Sequence, residues 1–163
     1  MMENRSFDHM LGYLSHPNHG KRNDVDGLNG RALSLGGDFA GTKATPQSNV
    51  EFKFSPSPGH SVNTVSAQIA DGKMDGFVSE FAQALEHAGE INPFGNLNDP
   101  ERILGFHTGD ELKYYDELAK DHLILDRWFC SFPGGTFPNR MCYYTGFSNA
   151  LSNHEIEEDA GYH

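Results

Sequence analysis

Thr136 stands in the stretch Pro133-Gly134-Gly135-Thr136-Phe137-Pro138-Asn139-Arg140, a single hydroxyl between a glycine pair and a Phe-Pro step. If a helix starts there, backbone N–H groups and the positive end of the helix dipole gather around that hydroxyl. Such a place binds phosphate oxygens and favours a hydroxyl becoming a nucleophilic alkoxide. Two glycines would let backbone approach a bound oxyanion without a Cβ in the way. Threonine is also a common N-cap, and from this segment alone that plainer role is the commoner one. A second cluster opens the chain, where Glu3 and Asn4 set a carboxylate beside an amide carbonyl. Those two oxygens suit a hard divalent cation, although by spacing alone a solvated polar loop is the better reading. His60 lies just ahead of an apolar periodic stretch, where it could meet whatever a helix start faces, or be an ordinary loop histidine. His16, His19 and His107 suggest zinc only weakly, because two are closely spaced and no cysteine pair joins them.

These residues need elements to position them. Residues 5 to 50 are rich in Gly, Asn, Asp and Pro and read as loops, turns and short elements. Val62, Val65 and Ile69 recur at helical spacing from Ser61 onward, and "DGK" closes that helix with a glycine. Phe77, Phe81, Ala84 and Leu85 mark a second helix ending near Gly89. A loop spans "INPFGNLNDP", and a third helix runs from Asp110 to Lys120 with Leu112, Tyr115 and Leu118 on one face. "HLILDRWF" is a short continuous apolar run, which predicts a buried strand. The glycine turn follows, then a helix from about Pro138 through Tyr144 that ends at Gly146, since proline is tolerated in a first turn. Helix, strand, turn and helix in succession predict an α/β layered architecture.

Composition narrows the classes. The chain has 163 residues, enough for one domain. Its 12 Phe, 6 Tyr and one Trp need burial, which excludes a disordered chain despite only 37% hydrophobic residues. A formal net charge of −11 argues against nucleic acid as a partner. Two cysteines, Cys130 and Cys142, cannot define a disulfide framework and read as buried thiols, with one bridge as the alternative. No run is long enough for a transmembrane span.

Three blocks in order, "MMENRSFDHMLGYL", "GHSVNTVSAQIADGKMDGFV" and "LAKDHLILDRWFCSFPGGTFPNRMCYYTG", resemble the bacterial phosphoesterase family that contains phosphatidylcholine-type phospholipases C and a group of acid phosphatases. The likeness covers Met1 to about Gly146, and the Glu-Asn-Arg-Ser-Phe-Asp-His block is its most diagnostic part. It implies an alkaline-phosphatase-like α/β/α sandwich, with residues 1–163 as the N-terminal part of a single phosphoesterase catalytic domain. It also implies a divalent metal held by Glu3 and Asn4, Thr136 as nucleophile and His60 as a catalytic histidine at the phosphoryl group or leaving oxygen. Asn139 and Arg140 match the block behind the nucleophile and are expected to bind or position substrate.

The reaction so implied is hydrolysis of a phosphate ester, in the first instance a phospholipid, through a phosphothreonine. A broad-specificity acid phosphatase and a catalytically idle binding domain of the same fold are the alternatives. In that family an Asp-Asp pair and further histidines follow the nucleophile at a distance, and "EEDAGYH" comes too soon to be that block. The expectation is therefore an incomplete sandwich with about half a metal site, inactive by itself, from a family whose members are often exported.

Overall fold

The computed structural model describes residues 5–48, 56–91 and 99–148, the side chains of 90 and 91 excepted. The chain opens with helix α1 (Phe7–Leu11), whose N-cap Ser6 accepts a hydrogen bond from the His9 N–H, and continues into a 3-10 turn, Gly12–Ser15. Strands β1 (Leu33–Ser34) and β2 (Lys43–Ala44) pair antiparallel, with Leu33 opposite Ala44. Helices α2 (Val62–Ile69) and α3 (Phe77–Ile91) follow, then a 3-10 turn at Pro100–Leu104, α4 (Lys113–Asp121) and α5 (Thr136–Thr145). The described residues thus form a mixed α/β structure with five α-helices and little strand.

Two small cores hold it. Tyr13, Leu14, Val25, Phe106 and Ala119 make one, flanked by Phe7, Leu11, Leu28 and Ile124. Leu35, Ala44 and Val78 make the other, with Phe39, Ile103 and Leu104 against them. Helix α3 serves the second core because Val78, Phe81 and Leu85 fall on one face at helical spacing, while Gln83, Glu86 and His87 face solvent. The stretch around Phe106 links distant parts of the chain. Its N–H donates to the Gln47 carbonyl at 3.0 Å, and the His107 N–H donates to the His9 carbonyl at 2.9 Å. Helix α4 is tied to the first core by the Tyr13 hydroxyl, which donates to Asp116 Oδ1 at 2.7 Å. The Lys120 ammonium takes the other carboxylate oxygen, and together these bonds hold the Asp116 carboxyl below its ordinary range.

Several expectations need correction. Residues 122–129 are not a buried strand: Leu123, Leu125, Trp128 and Phe129 are exposed, Trp128 at 79% and Phe129 at 80%. A strand exists by virtue of ladder bonds to neighbours, and among the described residues none runs beside this segment. Cys130 is exposed and Cys142 half-buried, and both are free thiols rather than a buried or bridged pair. Helix α3 continues past Gly89 to Ile91. On α4 the buried stripe is Leu112 and Ala119 with half-buried Tyr115 and Asp116, and Leu118 points to solvent. Helix α2 ends at Ala70 in the left-handed region, φ +49°, two residues before the expected glycine.

Candidate active site

Helix α5 begins at Thr136 itself, two residues earlier than its proline suggested, with Gly135 as N-cap in an extended conformation. Gly135 has no side chain to offer the helix start, so the capping role open to Thr136 in sequence passes to its neighbour's backbone. Pro138 falls in the first turn, buried, where its missing N–H costs no helical bond. Gly146 closes the helix at φ +81°, as a C-terminal glycine should.

The turn in front of Thr136 is clamped by a side chain of the helix it starts. Asn139 Oδ1 accepts from the Phe132 N–H at 3.0 Å, while Asn139 Nδ2 donates to the carbonyls of Phe132 at 2.9 Å and Gly135 at 3.0 Å. Both ends of the amide are thereby committed to the backbone of residues 132–135. The ring of Phe132 lies where a Cβ on Gly134 would come within 2.7 Å of Cε1, so any larger residue there would have to displace that ring. Thr136 is half-buried at the mouth of this turn, and Arg140 is exposed one turn further along α5.

His60 belongs to a loop that meets this turn. Ser61 caps α2 by accepting from the Thr64 N–H at 3.3 Å, and Val62 follows as the first helical residue. Val62 Cγ2 stands 3.5 Å from the position a Cβ on Gly134 would take, so the start of α2 abuts the glycine turn. His60 is exposed, with Nδ1 3.4 Å from the Pro58 carbonyl. Its loop is anchored from behind. Gln68 Nε2 donates to the Gly59 carbonyl at 2.8 Å and to Glu80 Oε2 at 2.9 Å, and Glu80 is 7% exposed. A Cβ on Gly59 would come within 2.2 Å of Glu80 Oε1 and 2.8 Å of Thr64 Cβ, so a larger residue before the histidine would push on the Glu80 carboxylate. Gln68 and Glu80 escaped the sequence reading; the available signal was two polar residues on the inward faces of amphipathic helices.

Glu3 and Asn4 lie outside the described residues. The residues after them, Arg5 to His9, line a cavity of about 760 Å³ shared with Leu35, Val78, Leu104 and Trp128. Neither His60 nor Thr136 lines it. Burial, and then the nearby Asp26 charge, pushes the Asp8 carboxyl above its ordinary range at this cavity. Among the described residues no three His, Cys, Asp or Glu side chains converge as a metal-binding group. His16 and His19 instead stack with each other and with Phe106, ring centres 4.9 Å apart for the pair, in an aromatic cluster.

The structure therefore gathers Thr136, Asn139 and Arg140 on the first turns of one helix and sets the His60 loop beside their glycine turn. A hydroxyl at a helix start has the chemistry for nucleophilic substitution, and an imidazole has the chemistry for proton transfer to a leaving group. The chain is 31% identical over 154 residues to non-specific phospholipase C6 of Arabidopsis thaliana, covering 94% of this chain and 28% of that protein. It is 30% identical over 161 residues to non-specific phospholipase C1 of the same plant, covering 94% and 27%. Against the non-hemolytic phospholipase C of Pseudomonas aeruginosa it is 31% identical over 156 residues, covering 94% and 20%. The chain thus spans less than a third of the length of these curated relatives, which come from a plant as well as a bacterium. The Phosphoesterase family model matches residues 1–161, nearly the whole chain, and the chain belongs to that family.

Proposed function

We propose that this chain carries the nucleophile of a phosphoric ester hydrolase of phospholipase C type, acting on phospholipids within an α/β/α catalytic domain. The observation that carries the reading is Thr136 at the first position of α5, behind a turn clamped by Asn139 and abutted by the start of α2, two residues after His60. Family membership and the names of the relatives support the reaction class.

In this reading Thr136 Oγ gives its proton to solvent water and attacks phosphorus in line. The P–Oγ bond forms as the bond from phosphorus to the alcohol oxygen breaks. Protonated His60 gives its proton to the departing oxygen. Water then attacks the phosphothreonine and passes a proton to the now neutral His60, the P–Oγ bond breaks, and Thr136 Oγ takes a proton from solvent water to regain its hydroxyl. Helix α5 places its N-terminal dipole toward the phosphoryl oxygens, and Asn139 keeps the turn in shape while charge develops. The oxygen donors of Glu3 and Asn4 fit a hard divalent cation, which would neutralise phosphoryl charge and ease ionisation of the Thr136 hydroxyl.

The test uses an active preparation of the protein and phosphatidylcholine vesicles. Thr136→Ala should lower kcat by at least about a thousandfold while leaving vesicle binding intact, because the lost interaction exists only in the transition state. Thr136→Ser should retain measurable turnover. Unchanged rates in Thr136→Ala would place the nucleophile elsewhere. Activity on p-nitrophenyl phosphate but not on the vesicles would favour a broad-specificity phosphatase.

A further inference from the structure

We infer that Gln68 is a positioning residue for His60, held in register by Glu80; the inference rests on the reading of His60 as the proton donor to the leaving oxygen. One side-chain amide nitrogen bridges two acceptors from different elements, the Gly59 carbonyl at 2.8 Å and the Glu80 carboxylate at 2.9 Å. Gly59 is the residue before His60, so its carbonyl belongs to the peptide plane that leads into the histidine. Fixing that plane fixes where the imidazole begins.

The anchor is stiff for reasons visible in the backbone. Glu80 sits one turn into α3, and its N–H donates to the Gly76 carbonyl at 3.0 Å. Gly76 in turn donates to the Gln68 carbonyl at 3.2 Å, and a Cβ on Gly76 would stand 1.9 Å from the Ala67 carbonyl oxygen. Helices α2 and α3 therefore meet at a closeness only glycine permits, and this closeness brings Glu80 to Gln68. A buried carboxylate demands a donor, and the Gln68 amide meets that demand. Its second N–H goes to Gly59 rather than to solvent. The carboxylate thus orients the amide, and the amide orients the loop.

Among the described residues, the hydrogen bonds left to the His60 loop without that bond are the capping contacts of Ser61 and the long Nδ1 contact to Pro58. The imidazole is exposed, so no packed wall would hold it in place. A misplacement of about 1 Å at a proton donor is enough to cost up to about a hundredfold in rate.

The experiment compares two esters of the same phosphate head group, one with a p-nitrophenol leaving group and one with a primary alcohol, using an active preparation of the protein. An alkoxide needs protonation to leave and a nitrophenolate does not, so a defect in the proton donor shows only with the alcohol ester. His60→Ala is expected to lower kcat sharply on the alcohol ester and little on the nitrophenyl ester. Gln68→Leu should show the same selectivity, about tenfold in kcat on the alcohol ester with KM unchanged. Added to His60→Ala, it should cost nothing further. Glu80→Gln keeps an acceptor for the amide and should restore most of the rate lost in Glu80→Ala. If Gln68→Leu unfolds the protein by orphaning the carboxylate, Gln68→Leu with Glu80→Leu removes both partners and should give the same kinetic defect. A selective defect in His60→Ala without one in the Gln68 variants would overturn the positioning role alone. No selective defect in His60→Ala would remove the reading on which it rests.

Discussion

His9 shows how a single buried group sets a pH dependence. It is 7% exposed, and its Nδ1–H donates to the Gly105 carbonyl at 2.9 Å. Burial lowers its pKa, the Gly105 bond opposes that, the charges of His107 and Arg5 lower it further, and Glu111 pulls upward. In the folded chain the ring stays neutral to a lower pH than the ordinary value of 6.5. Below 6.5 the unfolded chain takes up a proton that the folded chain refuses, so stability falls as pH drops toward the lowered value. His16, lowered by burial and by His19, adds to the same trend. Asp8 has the opposite sign: its raised pKa favours the fold at low pH and loses that contribution as pH rises through the raised value. Urea unfolding at about pH 5.5 should therefore show a lower midpoint than at about pH 7.5, and His9→Asn should narrow the gap. Equal midpoints would contradict the burial account of His9. At this scale the types of the candidate residues were readable in sequence, since a hydroxyl after two glycines and a Glu-Asn pair carry their chemistry with them. The partners were not readable: nothing in the spacing told Asn139 to clamp its own turn, or Gln68 to reach Gly59.

Among the elements, the α2–α3 hairpin is the most constrained. Ala70, Asp71 and Met74 all take positive φ, at 49°, 54° and 57°, with Gly72 at 84° between them. A left-handed alanine costs about 1–2 kcal/mol that glycine avoids, less what glycine loses to unfolded-chain entropy. Ala70→Gly should thus stabilise the chain by about 0.5–1 kcal/mol, read as a raised urea midpoint with unchanged slope. A destabilised variant would mean that Ala70 is not left-handed in solution. Helix existence was legible from apolar spacing, and the end of α5 from Gly146. The α2 end was not, because the hairpin is fixed by Gly76 pressing on the Ala67 carbonyl and not by a local stop signal. The stripe on α4 was set by Tyr13 meeting Asp116, which rotates Leu118 outward; apolar spacing alone cannot see a hydrogen bond from another element.

At the scale of the molecule, the described residues carry an apolar surface. Leu123, Leu125, Trp128, Phe129, Tyr143, Tyr144 and Phe147 are all exposed, and no described helix is long and apolar enough to cross a membrane. Trp128 is the single tryptophan, so its fluorescence reports on this segment alone. The 163-residue chain should emit like solvent-exposed indole, with ready acrylamide quenching, and should bind an apolar dye that Phe129→Gln with Leu125→Gln weakens. Blue-shifted, protected emission would show that residues 122–129 are covered.

Candidate residues for chemistry, the rough positions of helices and the family were legible in the sequence alone, because side-chain type, helical periodicity and ordered motifs are local properties. Only the tertiary structure decided that residues 122–129 stay at the surface, since a strand requires neighbours and an apolar run cannot supply its own. It also decided that the His60 loop meets the turn before Thr136 through Val62 and Gly134, residues 72 positions apart in the chain. Contacts at that separation are settled by how helices close on one another, and a one-dimensional pattern holds no record of it.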